Sequence, residues 1–266
     1  MRKIKSNKLK NIKFKKNIVI KKFSNSEKLN SLNEIKGYNY FLNKDIFQLI
    51  PRIKIVKKYN SVLIYYKRFN QTHVRSFFKI NKFYNISKIK FKKINSSDYL
   101  IDLINKLNEI KNFDNKFPIN KILISIKKYK NQTLLISPNH CDFIHYNTLI
   151  CNNKYYTIDF EYFKKKIIFN YDLYNWYFTP LFTNIKRYKL NFFSNFLIDI
   201  FFYILKKKNF GYQHKINKDF YNDKYLFFFL IEKYIFLFNE KKKNSGEYFH
   251  ISILEKLILK KLLSYK

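Results

Sequence analysis

The chain has 266 residues, 54 Lys and Arg against 18 Asp and Glu for a formal net charge of +36, with 47% hydrophobic and 20% aromatic residues. So basic a chain ordinarily points to a polyanionic partner through counterion release. Here the charge carries little of that meaning: 49 of the 54 basic residues are Lys, spread along the whole sequence, and only Arg2, Arg52, Arg68, Arg75 and Arg187 offer the bidentate fork suited to phosphate.

Alanine is absent, and Gly and Pro occur three and four times, as nucleotide bias acting on every permissive position would leave them. No specific nucleic-acid partner is therefore expected. The apolar content is ample for one large domain or two lobes. Cys141 and Cys151 give neither a disulfide framework nor a Cys-x-x-Cys metal signature, which favours a reducing, cytoplasmic setting. The basic start MRKIKSNKLK is not followed by a sustained apolar run, so no leader peptide is expected. The runs LNFFSNFLIDIFFYIL (190–205) and YLFFFLIEKYIFLF (225–238) are interrupted by polar residues and short for a bilayer. They read as core helices, with peripheral membrane contact as the lesser alternative.

In chain order, NIVIKKF (17–23) reads as a strand and SEKLNSLNEIKGYNYFL (26–42) as a helix capped at Ser26, with Leu29, Leu32, Ile35 and Leu42 near helical spacing. PRIKIV (51–56) and SVLIYY (61–66) read as two further strands around a KKYN turn. From residue 96 the pattern becomes helical. Ser96, Ser97 and Asp98 offer caps for a helix whose apolar stripe is Leu100, Leu103, Ile104, Leu107 and Ile110, and a second helix is predicted from Pro118 to about Asn131. Residues 171–263 are again helical, broken near 184 and over 207–223.

Between these lies NHCDFIHYNTLICNNKYYTIDFEYF (139–163). LLIS (134–137) is an extended run stopped by Pro138. TLIC and KYYTID flank Asn152 and Asn153, and paired Asn between β-type runs predicts a hairpin, because Asn tolerates the left-handed conformation. Such a hairpin places Asn147 and Asp159 at one open end, beside the loop carrying His140 and Asp142. Two carboxylates and a carboxamide make an oxygen-rich site that suits Mg²⁺ with bound phosphates better than Zn²⁺. A zinc site from His140, Cys141, His145 and Cys151 would match no familiar ligand spacing.

HCDFIHYN followed by TIDFE resembles the H-x-D-x-x-x-x-N and I-D-x-E pair of the aminoglycoside phosphotransferase and choline kinase-like family, a branch of the protein-kinase-like fold. YDLYNWYF (171–178) resembles the segment that follows in that group, and the chain is closest in flavour to phosphotransferases of surface polysaccharide or lipid-sugar biosynthesis. The resemblance implies an α+β, bilobal protein-kinase-like fold. A small antiparallel β lobe with one helix (residues 1–69) would bind nucleotide. A larger, mainly helical lobe (70–266) would hold the catalytic loop and acceptor site.

It also implies ATP as phosphoryl donor, Mg²⁺ as cofactor and a small hydroxyl acceptor. Asp142 would be catalytic. Asn147 and Asp159 would hold the metal, and Lys21, at the end of IVIK, would pair with Glu34 to clamp the phosphates, with Lys22 its rival because a one-residue slip reverses a strand's faces. The backbone around Tyr65, Tyr66, Lys67 and Arg68 would meet the adenine. SNKLKN (6–11) would stand where a Gly-rich loop is usual, and Cys141 where a glycine is. His140 would brace the loop, Asp172 would anchor it, and Glu161 would be a second metal ligand or a solvated carboxylate. A catalytically degenerate scaffold of the same fold is the alternative.

Overall fold

The computed structural model describes residues 12–15, 18–68, 72–73, 80, 84–112, 119–187, 223–243, 255 and 258. Among them the chain is a mixed α+β protein with antiparallel sheets. It divides into two compact units: residues 1–89 with 138–165, and residues 90–137 with 166–266.

The first unit is built on a four-stranded antiparallel sheet in the order β1-β2-β4-β3, where β1 is Ile12–Phe14, β2 Ile18–Ser24, β3 Ile53–Lys58 and β4 Ser61–Lys67. Alternation decides what each face carries. The register sets Lys21 opposite Ile64, Val19 opposite Tyr66 and Phe23 opposite Val62, and Ile55 opposite Ile64, so these residues share one face. Helix α1 (Lys28–Phe41) lies against that face through Glu34, whose carboxylate bonds to both Lys21 and Tyr66. Its helical start is two residues later than the expected Ser26. A 3₁₀ turn over Asn25–Glu27 comes first, and Glu27 folds back to accept from the Ser24 backbone N–H at 3.0 Å and its hydroxyl at 2.9 Å, so the capping role passes to Ser24.

The buried face of α1 also differs from the apolar stripe. Ser31, Glu34, Gly37, Tyr38 and Phe41 are buried, while Leu29, Leu32 and Leu42 are exposed. The buried set repeats every three or four residues as a helix face must, and it is defined by the polar pairing of Glu34, the close approach at Gly37 and the aromatic burial of Tyr38 and Phe41 rather than by the leucines. Phe41, Phe47, Phe143 and Phe160 pack around it with ring centroids 4.9 to 6.0 Å apart in four of their pairs.

A three-stranded sheet, β5-β8-β9, completes the unit; β5 is Thr72–His73, β8 Thr148–Cys151 and β9 Lys154–Thr157. β8 and β9 form the expected hairpin. Asn152 and Asn153 both take positive φ, 48° and 57°, the pattern of a two-residue type I′ turn whose twist suits the strands.

In the second unit, α2 (Ser96–Lys111) buries Leu100, Leu103, Leu107 and Ile110. Its cap is Asn95, whose side chain accepts from the Ser97 N–H at 2.9 Å, rather than one of the residues 96–98. Ser96 is instead buried, accepting from Gln132 N–H at 3.1 Å and donating to the Tyr129 carbonyl. Helix α3 is Ile119–Lys127; its expected start at Pro118 lies outside the described residues. A third sheet has the order β10-β7-β6, where β6 is Lys92–Asn95, β7 Thr133–Asn139 and β10 Lys164–Ile168. β7 runs through Pro138, where the sequence predicts a stop. The strand tolerates it because β6 pairs only with residues 133–136, so Pro138 owes that neighbour no N–H.

Helix α4 (Tyr171–Arg187) continues through the expected break at 184, and α5 is Asp223–Lys243. Tyr225 to Ile235 are buried, with Leu237 and Phe238, so the 225–238 run is core as expected. The run 190–205 lies outside the described residues.

Candidate active site

The site in the first unit begins with Lys21. Its ammonium lies 3.2 Å from Glu34 Oε2, 2.5 Å from Asp159 Oδ1 and 3.0 Å from Glu161 Oε2. β2 aims Lys21 at this cluster, while Lys22, on the opposite face, is exposed. Burial alone would lower the pKa of Lys21, but attraction to Asp159, Glu34 and Glu161 outweighs it and the value is raised.

Glu34 is fully buried. Burial pushes its carboxyl up, Lys21 opposes, Asp159 and Glu161 add to the rise, and the result is about 7. The Tyr66 hydroxyl donates to its other oxygen at 2.6 Å. Burial first, then Glu34, raises the Tyr66 phenol well above its ordinary value, so it stays a donor.

Asp159 follows β9 with φ 66°, a left-handed conformation that Asp tolerates. Its backbone N–H donates to the Tyr38 hydroxyl at 3.4 Å. Next to it, Phe160 sits edge-on to Tyr38 at 4.6 Å. The Cβ that Gly37 lacks would lie 2.6 Å from the Cβ of Phe160 and 3.0 Å from that of Phe163. This close approach brings α1 against the loop that carries Asp159 and Glu161.

The neighbouring loop is internally braced. Asn147 donates from Nδ2 to the Asp142 carbonyl at 2.8 Å and to its carboxylate at 3.0 Å. The Asp142 N–H donates to His140 Nδ1 at 3.3 Å, which makes Nδ1 the acceptor, so Nε2 carries the proton and donates to the Ile158 carbonyl at 2.8 Å. Burial pushes the His140 pKa down to about 4, keeping the ring neutral in this bracing role. The Ile158 N–H in turn donates to the Asn147 carbonyl at 3.0 Å. Cys141 takes φ 67°.

A cavity of about 270 Å³ opens beside the cluster. Its walls are largely apolar, from Val19, Pro51, Leu149 and Ile158, and Lys21 and Asp159 supply charge at its lining. Tyr66 and Lys67 also line it, whereas Tyr65 faces the other side of the sheet by alternation. An aromatic, apolar ring system fits such walls.

The donor set fits a hard divalent cation. Carboxylate oxygens from Glu34, Asp159 and Glu161 lie within 4.8 Å of one another, and oxygen is what Mg²⁺ takes; the side chain of Asn147, expected as a metal ligand, bonds through Nδ2 to Asp142. Asp172, expected to anchor the catalytic loop, is the second residue of α4 in the other unit and is buried. The residues 6–11 lie outside the described part.

The participation of Glu161 in the Lys21 cluster and of the Tyr66 phenol in holding Glu34 went beyond sequence reasoning. For Glu161 the I-D-x-E motif was a signal, since it sets a second carboxylate two residues beyond Asp159. For Tyr66 the strand parity with Lys21 and Val19 was available once the register was known.

No protein-family model matches this chain, and no curated protein matches it. Among solved structures a glucosamine kinase in its crystal form B is similar over 93% of this chain and 73% of its own length, with 9% sequence identity and a TM-score of 0.47.

Proposed function

We propose that the protein is an ATP- and Mg²⁺-dependent phosphotransferase of the aminoglycoside phosphotransferase and choline kinase-like type, with a bilobal kinase-like fold. On this reading it transfers the γ-phosphoryl group to a hydroxyl of a small acceptor such as a sugar, an amino-alcohol or a lipid-linked glycan. The observation that carries the reading is the meeting of Lys21, Glu34 and Asp159, distant in sequence, at one end of an apolar-walled cavity.

The chemistry follows from what phosphoryl transfer requires, namely positioning and charge neutralisation. The cavity walls take the adenine and Lys21 takes phosphate oxygens, held in place by Glu34 and Tyr66. Asp159 and Asn147 are the residues that would hold Mg²⁺, with Glu161 beside them; bound there, the ion neutralises charge on the phosphates. Asp142 accepts the proton of the acceptor hydroxyl as its oxygen bonds to the γ-phosphorus, and the bond from that phosphorus to the bridging oxygen breaks to leave ADP. Asn147 keeps the Asp142 carboxylate oriented for this.

The test is nucleotide binding with and without Mg²⁺, followed by transfer to a small panel of hydroxyl acceptors. Asp159→Ala is expected to abolish the Mg²⁺-dependent part of binding, while Asp142→Asn keeps binding and loses transfer by about 10² or more. Nucleotide affinity indifferent to both Mg²⁺ and Asp159 would overturn the enzyme reading and favour a degenerate scaffold of the same fold.

A further inference from the structure

The four-stranded sheet has a second face, opposite the one that carries Lys21. Register places four residues across it in one row: Lys13 on β1, Ile20 on β2, Tyr65 on β4 and Lys54 on β3. The next row is Lys22, Leu63 and Val56, and the row after it ends in Lys58. Ile18, 39% exposed, extends the apolar centre at the other end.

Ile20, Leu63, Tyr65 and Val56 are only half-buried, and Lys13, Lys22, Lys54 and Lys58 are exposed. Helix α1 lies on the other face, through Glu34. At the tip of the β3–β4 hairpin Tyr59 is 99% exposed. No Asp or Glu occupies an outward position on any of these strands. An apolar centre ringed by ammonium groups on long aliphatic stems is how a surface meets lipid head groups, the stems and centre at the acyl boundary and the charges at the phosphates.

We infer that this outer sheet face docks on an anionic lipid surface. The inference stands apart from the phosphotransfer reading, since none of its residues belongs to the candidate active site. Three other occupants fit the chemistry less well. Residues 1–11, MRKIKSNKLKN, are themselves basic and would be repelled by the lysine ring, as would a second copy of the same face. A single-stranded nucleic acid would want several stacking aromatics or Arg, and the strands offer this face Tyr65 alone.

The full chain should sediment with phosphatidylcholine vesicles that contain phosphatidylserine and not with phosphatidylcholine alone. Each lysine near an anionic leaflet contributes about a fivefold gain in partition, so Lys54→Glu with Lys58→Glu should lower binding by about tenfold or more. Because a net charge of +36 gives any basic surface some attraction, the control is Lys121→Glu with Lys128→Glu, an equal charge change at exposed sites of the other unit. It should leave most of the binding intact.

Leu63→Trp supplies a readout of the face itself: its emission should shift to the blue on adding the anionic vesicles, against a constant signal from the fully buried Trp176. Equal losses in the two charge-reversed proteins, or no blue shift, would overturn the docking face and leave only diffuse attraction. A dimer that dissociates in Lys54→Glu with Lys58→Glu while vesicle binding persists would assign the face to a second copy. An oligonucleotide that protects Leu63→Trp where vesicles do not would assign it to nucleic acid.

Discussion

Gly37 and Phe160 meet at a distance that only glycine at position 37 can keep: a Cβ there would stand 2.6 Å from the Cβ of Phe160. One of only three glycines in the chain is therefore spent where α1 touches the loop after Asp159. Gly37→Ala gains helix propensity of about 1 kcal/mol, yet the overlap is with a Cβ that cannot swing away. A net loss of about 1 to 3 kcal/mol is expected, with weaker Mg²⁺-dependent nucleotide binding because Glu34 lies one turn away. Chemical denaturation and a nucleotide titration check the two effects; an unchanged denaturation midpoint would show that helix and loop separate more readily than this contact implies.

The pH dependence of stability has two opposing contributions. Glu34 has a folded value near 7 against an ordinary 4.5, so the folded chain holds a proton that the unfolded one has released, and stability falls as pH rises through that window. His140 has a folded value near 4 against an ordinary 6.5, so the unfolded chain binds a proton that the folded one refuses, and stability rises with pH from 4 to 6.5. Each is worth on the order of 3 kcal/mol, so from about pH 4.5 to 6.5 they offset one another. Glu34→Gln should expose the His140 contribution as a steep rise in stability across that range. Denaturation midpoints that run parallel in the two proteins would place Glu34 at an ordinary pKa.

Tyr66→Phe removes the hydroxyl that donates to Glu34 at 2.6 Å. A bond to a charged group contributes about 1.5 to 3 kcal/mol, and its loss should be larger above pH 7, where Glu34 is ionised, than near pH 5. Thermal melts at the two pH values measure the difference.

Lys21→Met leaves Glu34, Asp159 and Glu161 around a missing cation. The protein should lose several kcal/mol of stability at neutral pH, as when one member of a buried charge cluster is removed. It should recover part of that in Mg²⁺, whereas Lys21→Met combined with Asp159→Asn should respond less to the ion. Melting temperatures across a magnesium titration test this.

Cys141 at φ 67° is in a conformation that costs an L residue about 1 to 2 kcal/mol. Cys141→Val, similar in volume but β-branched, should destabilise by at least that much, while Cys141→Gly should be close to neutral, its conformational relief offset by unfolded-state entropy. The pair of substitutions separates backbone strain from packing of the thiol, since packing alone would favour Val.

Much of the candidate site was legible because it rests on local spacing. The Asn152-Asn153 turn fixes the hairpin, and the hairpin fixes where Asn147 and Asp159 emerge. The choice between Lys21 and Lys22 was not legible, since a strand's inward face depends on its register with β1 and β4. Nor was the buried face of α1: hydrophobic periodicity pointed to Leu29, Leu32 and Leu42, which are exposed, because a buried Glu34, a glycine contact and the burial of Tyr38 and Phe41 outweigh leucine in deciding how that helix is rolled. The cap of α2 slipped by one residue for a similar reason, Ser96 being engaged with Tyr129 and Gln132.

The unit that holds Lys21 is made of two stretches of chain, 1–89 and 138–165, separated by 48 residues that belong to the other unit. During synthesis β2, β4 and α1 leave the ribosome first, with Glu34 and Lys21 already able to meet and with nothing yet against Gly37. Asp159 follows only 92 residues after the end of β4 at Lys67, about 5 to 18 seconds later at ordinary elongation rates. For that interval the face of α1 that carries Tyr38 and Phe41 lacks Phe160 and Phe163 as partners, and a chaperone that recognises such surfaces would have its best opportunity before residue 163 is made.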